Sequence, residues 1–220
     1  PITFKACATS AMRQAENGMK LVDRVKNETG IDLNIISGEE EARIIIATHI
    51  DRHLKPQQHC LYVDVGGGST ELTLINDKKA LASKSFPIGS VRLLEKQVTK
   101  ADWAGMEEWI VNKTANINNI QSIGSGGNIN KILTLLLKTK GNSVTVGEIE
   151  STIRKIEPYS IHDRVVKLKL RPDRADVIVH AGEIYSRCMQ WSGAREMIVP
   201  QVGLPDGIVS QLYSDYKLKN

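Results

Sequence analysis

The chain has 220 residues, 41% hydrophobic and 25% charged, the balance of an ordinary globular protein with material for a sizeable core; it is neither fibrous nor low in complexity. Its 29 basic and 25 acidic side chains leave a formal charge of +4, too small and too dispersed to argue for a nucleic-acid surface, so no nucleic-acid partner is expected. The longest apolar runs, ARIIIA and ILTLLL, fall far short of a membrane span, and Cys7, Cys60 and Cys188 lie far apart among apolar residues with no zinc-type spacing. A cytoplasmic protein without a membrane partner follows. The chain begins at Pro1, inside what reads as a strand, and is therefore expected to be a piece of something longer.

In chain order, β-type runs alternate with helical periodicity, which predicts an α/β architecture. Residues 2–8 (ITFKACA) read as a strand. Residues 17–30 read as a helix with Asn17 as N-cap and Gly30 as its stop. A second strand follows in DLNIIS, residues 32–37. SGEEEARIIIATHIDRHL, residues 37–54, predicts a helix opened by a capping box, Ser37 with Glu40 three residues on, and an apolar face through Ile45, Ile46 and Ile50. CLYVDV (60–65) and ELTLIN (71–76) flank a run of glycines, NDKK is a turn, and ALASKSF (80–86) makes the third strand of an antiparallel set. From Ser90 onward the chain reads as mostly helical. It is interrupted by IQSIGSGGN and EMIVPQVG, each a short strand running into a glycine turn and a new helix.

The chemistry concentrates in VDVGGGSTELTL. Two-residue hairpin turns need one or two glycines, not three. Consecutive glycines can take positive φ and turn several N–H groups toward one point, so Gly66, Gly67 and Gly68, with the hydroxyls of Ser69 and Thr70, form a candidate phosphate loop. Asp64 ends one strand and Glu71 begins the next, and carboxylates beside a bound phosphate point to Mg²⁺. A second glycine turn, GSGGN, places Gly126 and Gly127 before a helix whose first turn carries Asn128, Asn130 and Lys131, an arrangement suited equally to anion binding and to plain strand-to-helix punctuation. In the acidic run Glu39-Glu40-Glu41, a place in the first helical turn accounts for Glu39, and the capping box accounts for Glu40. Glu41 stands on another side of the turn, free to face a cleft.

ATSAMRQAENG, IISGEEEARI, VDVGGGSTELTL, FPIGSVRL, GSGGNINK and RPDRADVIV, in this order and spacing, resemble the successive motifs of the exopolyphosphatase and guanosine pentaphosphate phosphohydrolase (Ppx/GppA) family. The resemblance implies the actin-like ATPase fold, with two ribonuclease-H-like lobes. Residues 1–36 would be the end of the first lobe and residues 37–220 the second. It also implies Mg²⁺-assisted hydrolysis of the terminal phosphoanhydride of polyphosphate or guanosine pentaphosphate. By resemblance Glu41 is the catalytic base, Asp64 and Glu71 position metal and water, residues 66–70 hold phosphate, and Arg13 lies near the transferred phosphate. Gly126, Gly127, Asn130 and Lys131 would supply a second phosphate contact.

The chain departs from the family pattern in three places. It has no first-lobe phosphate loop, so on its own it is expected to turn over little. Asn130 stands where many relatives carry a cation, which is displaced here to Lys131, and Pro205 replaces the arginine of a GLR stretch. Arg92 and Arg174 match the pattern, but surface salt bridges explain them as well. An ATP-dependent kinase or ATPase of the same superfamily and a non-catalytic polyphosphate or nucleotide sensor remain the alternatives. The oligomeric state is open, a homodimer included.

Overall fold

A computed structural model describes residues 3–46, 48, 57–77, 79–136 and 141–219. The end of the helix expected over 37–54, Ile50 included, and the side chains of Ile45 and Ile46 lie outside the described residues. By compactness the chain divides into two units, Pro1–Arg52 with Val202–Asn220, and His53–Gln201.

In the first unit, β1 (Ala6–Ala8) pairs in parallel with β2 (Leu33–Ile35). Helices α1 (Ser10–Gln14) and α2 (Gly18–Thr29) connect them, as a parallel pair requires. The expected stop holds: Gly30 takes φ 74° and its N–H returns to the Lys26 carbonyl, a left-handed cap that costs glycine no Cβ clash. Asn17 stands at the N-cap position, but its side chain makes no capping hydrogen bond. Helix α3 (Gly38–Ile46) begins at the expected place. The last helix, α11 (Leu204–Lys219), crosses α3 so closely that a Cβ on Gly207 would collide with the Ile44 carbonyl. This contact places α3 and α11 in one compact unit.

The second unit is built on a six-stranded mixed sheet of order β5-β4-β3-β6-β8-β7. Strands β3 (Cys60–Val65), β4 (Thr70–Asn76) and β5 (Lys79–Phe86) form the expected antiparallel set. After them come α4 (Ser90–Leu94), α5 (Lys100–Thr114), β6 (Gln121–Ser125) and α6 (Gly127–Leu135). The edge strand β7 (Ser143–Thr145) leads directly into α7 (Val146–Ile156). It escaped the sequence reading because three residues carry no legible alternation. The chain continues through α8 (Ile161–Val166), α9 (Pro172–Ala175), α10 (Ile178–Ser192) and β8 (Glu196–Ile198). Strands β6 and β8 run parallel to β3, and β7 is antiparallel to β8. Three antiparallel strands followed by two parallel ones is the ribonuclease-H-like order, which bears out the expected α/β class.

Strand β3 lies at the centre because both its faces are apolar: Leu61, Val63 and Val65 join the main core, and Cys60 and Tyr62 are buried on the other face. Against Leu61, Val63 and Val65 packs a cluster drawn from α5, α6, α7 and α10, including Met106, Ile132, Ile149, Ile184 and Met189. Each such side chain contributes about 1.5–3 kcal/mol by burial. Thr99 with Asp102 and Thr145 with Glu148 form full capping boxes at the starts of α5 and α7. Among the described residues no helix is long and apolar enough to cross a membrane.

Candidate functional site

In the first unit the structure brings Arg13 and Glu41 together. Glu41, the fourth residue of α3, is buried, and Arg13 Nη1 stands 3.6 Å from its Oε2 while donating to the Ile36 carbonyl at 2.6 Å. The neighbouring acid has a different fate. The Glu40 N–H donates to Ser37 Oγ at 3.1 Å, which is half of the expected capping box, but the Glu40 carboxylate reaches across to Lys5 Nζ at 3.4 Å. Capping and the buried arginine pair therefore fall to different glutamates.

In the second unit Asp64 and Glu71 are register partners across the β3–β4 pair, so their side chains share one face at a separation of about 5 Å between Cβ atoms. Ser69 Oγ and Ser85 Oγ both donate to Glu71 Oε1, at 2.7 and 3.0 Å. Burial, and then the charge of Glu71, push the Asp64 carboxyl from 3.8 up to about 7. Although part of Asp64 remains accessible, its carboxyl is surrounded densely enough for desolvation to dominate.

A divalent cation would relieve that repulsion. Among the described residues no group of three or more His, Cys, Asp or Glu is poised for a metal. Two carboxylates alone suit an ion that fills its remaining positions with water and phosphate oxygens, as Mg²⁺ does. The residues present fit it.

The glycine loop between these strands works differently from the sequence expectation. None of Gly66, Gly67 and Gly68 takes positive φ. Close approach accounts for Gly67 and for Gly89 instead, since a Cβ on Gly67 would press on Val91 Cγ2 at 3.1 Å and one on Gly89 would collide with the Gly67 carbonyl, whereas a Cβ on Gly68 would meet open space. The start of α4 seizes the loop by its carbonyls: Ser90 N donates to Gly66 O at 3.0 Å, and Val91 N and Arg92 N to Gly67 O at 2.9 and 3.2 Å. With those carbonyls turned to α4, the exposed amides of Gly67 and the partly buried Gly68 donate to no group among the described residues.

The two hydroxyls expected to meet phosphate are both buried. Ser69 donates to Glu71, and Thr70 donates to the Ile88 carbonyl at 2.6 Å. They shape the loop, and the main chain is what the loop presents. The helix start at Gly89-Ser90, which holds the loop, was legible only as part of the FPIGSVRL motif.

At the second loop Gly126 does take a left-handed φ of 112° and precedes α6. A Cβ on Gly127 would overlap the Arg174 guanidinium. Lys131 Nζ instead donates to the Lys169 carbonyl at 3.2 Å. The cation lying over this loop is thus Arg174, whose side chain has no hydrogen-bond or ion-pair partner among the described residues, the alternative of a surface salt bridge included. The side-chain oxygens of Asn128 and Asn130 are buried without a hydrogen-bond partner among the described residues. Beneath the loop, Tyr185 of α10 donates to the Ser125 carbonyl. Sequence reasoning passed over this tyrosine because its apolar helical surroundings mark it as core.

Strands β3, β4 and β6 thus deliver two glycine loops and two carboxylates to one end of a ribonuclease-H-like sheet. A family model described as the Ppx/GppA phosphatase family matches residues 3–215. The chain belongs to that family.

Among its relatives is exopolyphosphatase 1 of Mycobacterium tuberculosis, 36% identical over 88 residues, a match that takes in 40% of this chain and 26% of that protein. A solved Ppx/GppA family member from Aquifex aeolicus superposes with a TM-score of 0.71 at 26% identity, covering 96% of this chain and 74% of that one. A solved exopolyphosphatase from Cytophaga hutchinsonii gives a TM-score of 0.77 at 21% identity over 96% of this chain and 75% of that one, a likeness of fold. The match to the curated mycobacterial relative spans about a quarter of that protein's length.

Proposed function

We propose that this chain carries the phosphate-binding and carboxylate machinery of a cytoplasmic hydrolase that releases the terminal phosphate of inorganic polyphosphate or guanosine pentaphosphate with Mg²⁺. The observation that supports this most directly is the pair of amides at Gly67 and Gly68 that donate to no group among the described residues, beside two carboxylates in register. Such amides suit a phosphate oxygen. Both substrates end in the same phosphoanhydride, and the loops offer contacts to phosphates and none to bases, so the reading covers both.

Asp64 and Glu71 would hold the Mg²⁺, which when bound neutralises charge on the phosphate oxygens. Ser69 and Ser85 fix the rotamer of Glu71 by donating to one oxygen. The Gly67 and Gly68 amides bind terminal phosphate oxygens, and Arg174 with the start of α6 binds a phosphate further along. Within the first unit, Glu41 beside Arg13 is the carboxylate proposed as proton acceptor.

The test is phosphate release from both substrates by the full-length protein, with and without Mg²⁺. Glu41→Gln is expected to lower kcat by about 10²–10⁴ with little change in Tm, and Glu40→Gln to leave activity largely intact. Near-normal kcat in Glu41→Gln would move the base elsewhere. A wild-type protein that binds polyphosphate and releases no phosphate would be a sensor instead.

A further inference from the structure

Tyr185 has no assigned part in the reaction, yet its hydroxyl lies where the two loops converge. It comes from the middle of α10, is fully buried, and donates to the carbonyl of Ser125. Ser125 is the last residue of β6 and the register neighbour of Asp64 on β3. The next residue is Gly126, whose φ of 112° turns the chain into α6. A Cβ placed on Gly126 would stand 3.0 Å from the Tyr185 hydroxyl oxygen, 3.4 Å from Asp64 Oδ1 and 3.4 Å from the Val65 carbonyl. The phenol, the candidate metal-binding carboxylate and the ends of both strands therefore surround one point.

A tyrosine placed only to fill the core would not need its hydroxyl at a strand end. A buried phenol with no partner costs the desolvation of a hydroxyl, and a buried carbonyl left alone costs as much. Here each offsets the other. The consequence is mechanical. Arg174 and the start of α6 can offer their donors to a phosphate only if residues 125–127 hold one conformation, and left-handed backbone at Gly126 is one of several states open to glycine.

We infer that Tyr185 is a positioning residue that pins the Ser125 carbonyl to the core helix α10 and so holds the second glycine loop in its phosphate-binding conformation beside Asp64. This rests on the proposed hydrolase reading for its functional consequence, but its structural part can be tested independently.

The first measurement is amide hydrogen exchange on the chain itself. Tyr185→Phe keeps the ring and removes only the hydroxyl, and exchange at residues 124–128 should quicken about tenfold while β3 and β4 stay as protected as in the wild type. Ile184→Val, one residue away and equally buried, is the packing control and should leave residues 124–128 unchanged. Unchanged exchange in Tyr185→Phe overturns the proposal. So does equal loosening in both variants, which would make the effect one of packing. A Tyr185→Phe chain that does not fold also overturns it, because the hydroxyl would then be a requirement of the core.

The second measurement is steady-state phosphate release from polyphosphate by the full-length protein. Tyr185→Phe should raise KM about five- to tenfold and lower kcat less than threefold, since the loop grips substrate. Loss of kcat with KM unchanged would overturn the role assigned here. A wild-type protein that releases no phosphate defeats the hydrolase reading, and the exchange comparison then judges Tyr185 alone.

Discussion

The GGGST loop after β3 and the GSGGN loop after β6 share a composition and differ in what their glycines do. In the first, the backbone stays at negative φ, and Gly67 and the facing Gly89 leave space: α4 presses against the loop and claims the Gly66 and Gly67 carbonyls. In the second, Gly126 is needed for its left-handed φ, and Gly127 leaves room for a guanidinium. The first loop is a sterically locked amide cradle. The second is a conformational turn with a cation laid over it. Glycine count alone does not separate these, because missing side chains serve close approach and positive φ alike.

Asp64, between the two loops, should give the largest effect. Its folded carboxyl titrates at about 7 and its unfolded one at 3.8, so the folded chain keeps a proton that the unfolded chain has released. Stability is then fullest below about pH 4, declines as pH rises toward 7, and levels off above. The shift of roughly 3 pH units corresponds to about 4 kcal/mol. Urea unfolding without divalent ions from pH 4 to 8 should show this decline in the wild type and its loss in Asp64→Asn. Parallel pH profiles in the two would remove the buried charge from the account.

Next comes the steric lock. Gly89→Ala drives a methyl into the Gly67 carbonyl and should cost about 3 kcal/mol, seen as a fall in Tm with disturbed amide signals at residues 66–68. A stability near wild type would show the first loop to be soft. Gly126→Ala tests the other loop's conformational demand and should cost about 1–3 kcal/mol, because φ 112° with ψ 158° is backbone essentially reserved for glycine. If Gly66→Ala cost more by φ strain than Gly126→Ala, the contrast between the loops would be reversed.

The smallest effect concerns the cation. In the full-length protein, Arg174→Ala should weaken tripolyphosphate binding about tenfold by calorimetry, near 1.4 kcal/mol, and Lys131→Ala less than twofold, because that ammonium is engaged by Lys169. The opposite ranking would return the second phosphate contact to Lys131.

The α/β class, the antiparallel β3–β4–β5 set, the Gly30 stop, the start of α3 and the concentration of chemistry in VDVGGGSTEL were all legible in the sequence. Each is decided by neighbours within about ten residues, through apolar alternation, a cap or a turn. That Asp64 and Glu71 flank the glycine loop was legible as well, and their register pairing across the hairpin came with the structure.

Other features needed the folded chain. The packing of α3 on α11 joins residues some 160 positions apart in one unit. The grip of α4 on the first loop, the inward turn of Ser69 and Thr70, the choice of Arg174 over Lys131 and the reach of the Tyr185 hydroxyl to Ser125 all depend on which distant backbone or side chain arrives at a given point. Local propensity and hydrogen-bonding capacity belong to the sequence. The partner that satisfies each group is settled only when tertiary packing brings the candidates within about 3 Å of one another.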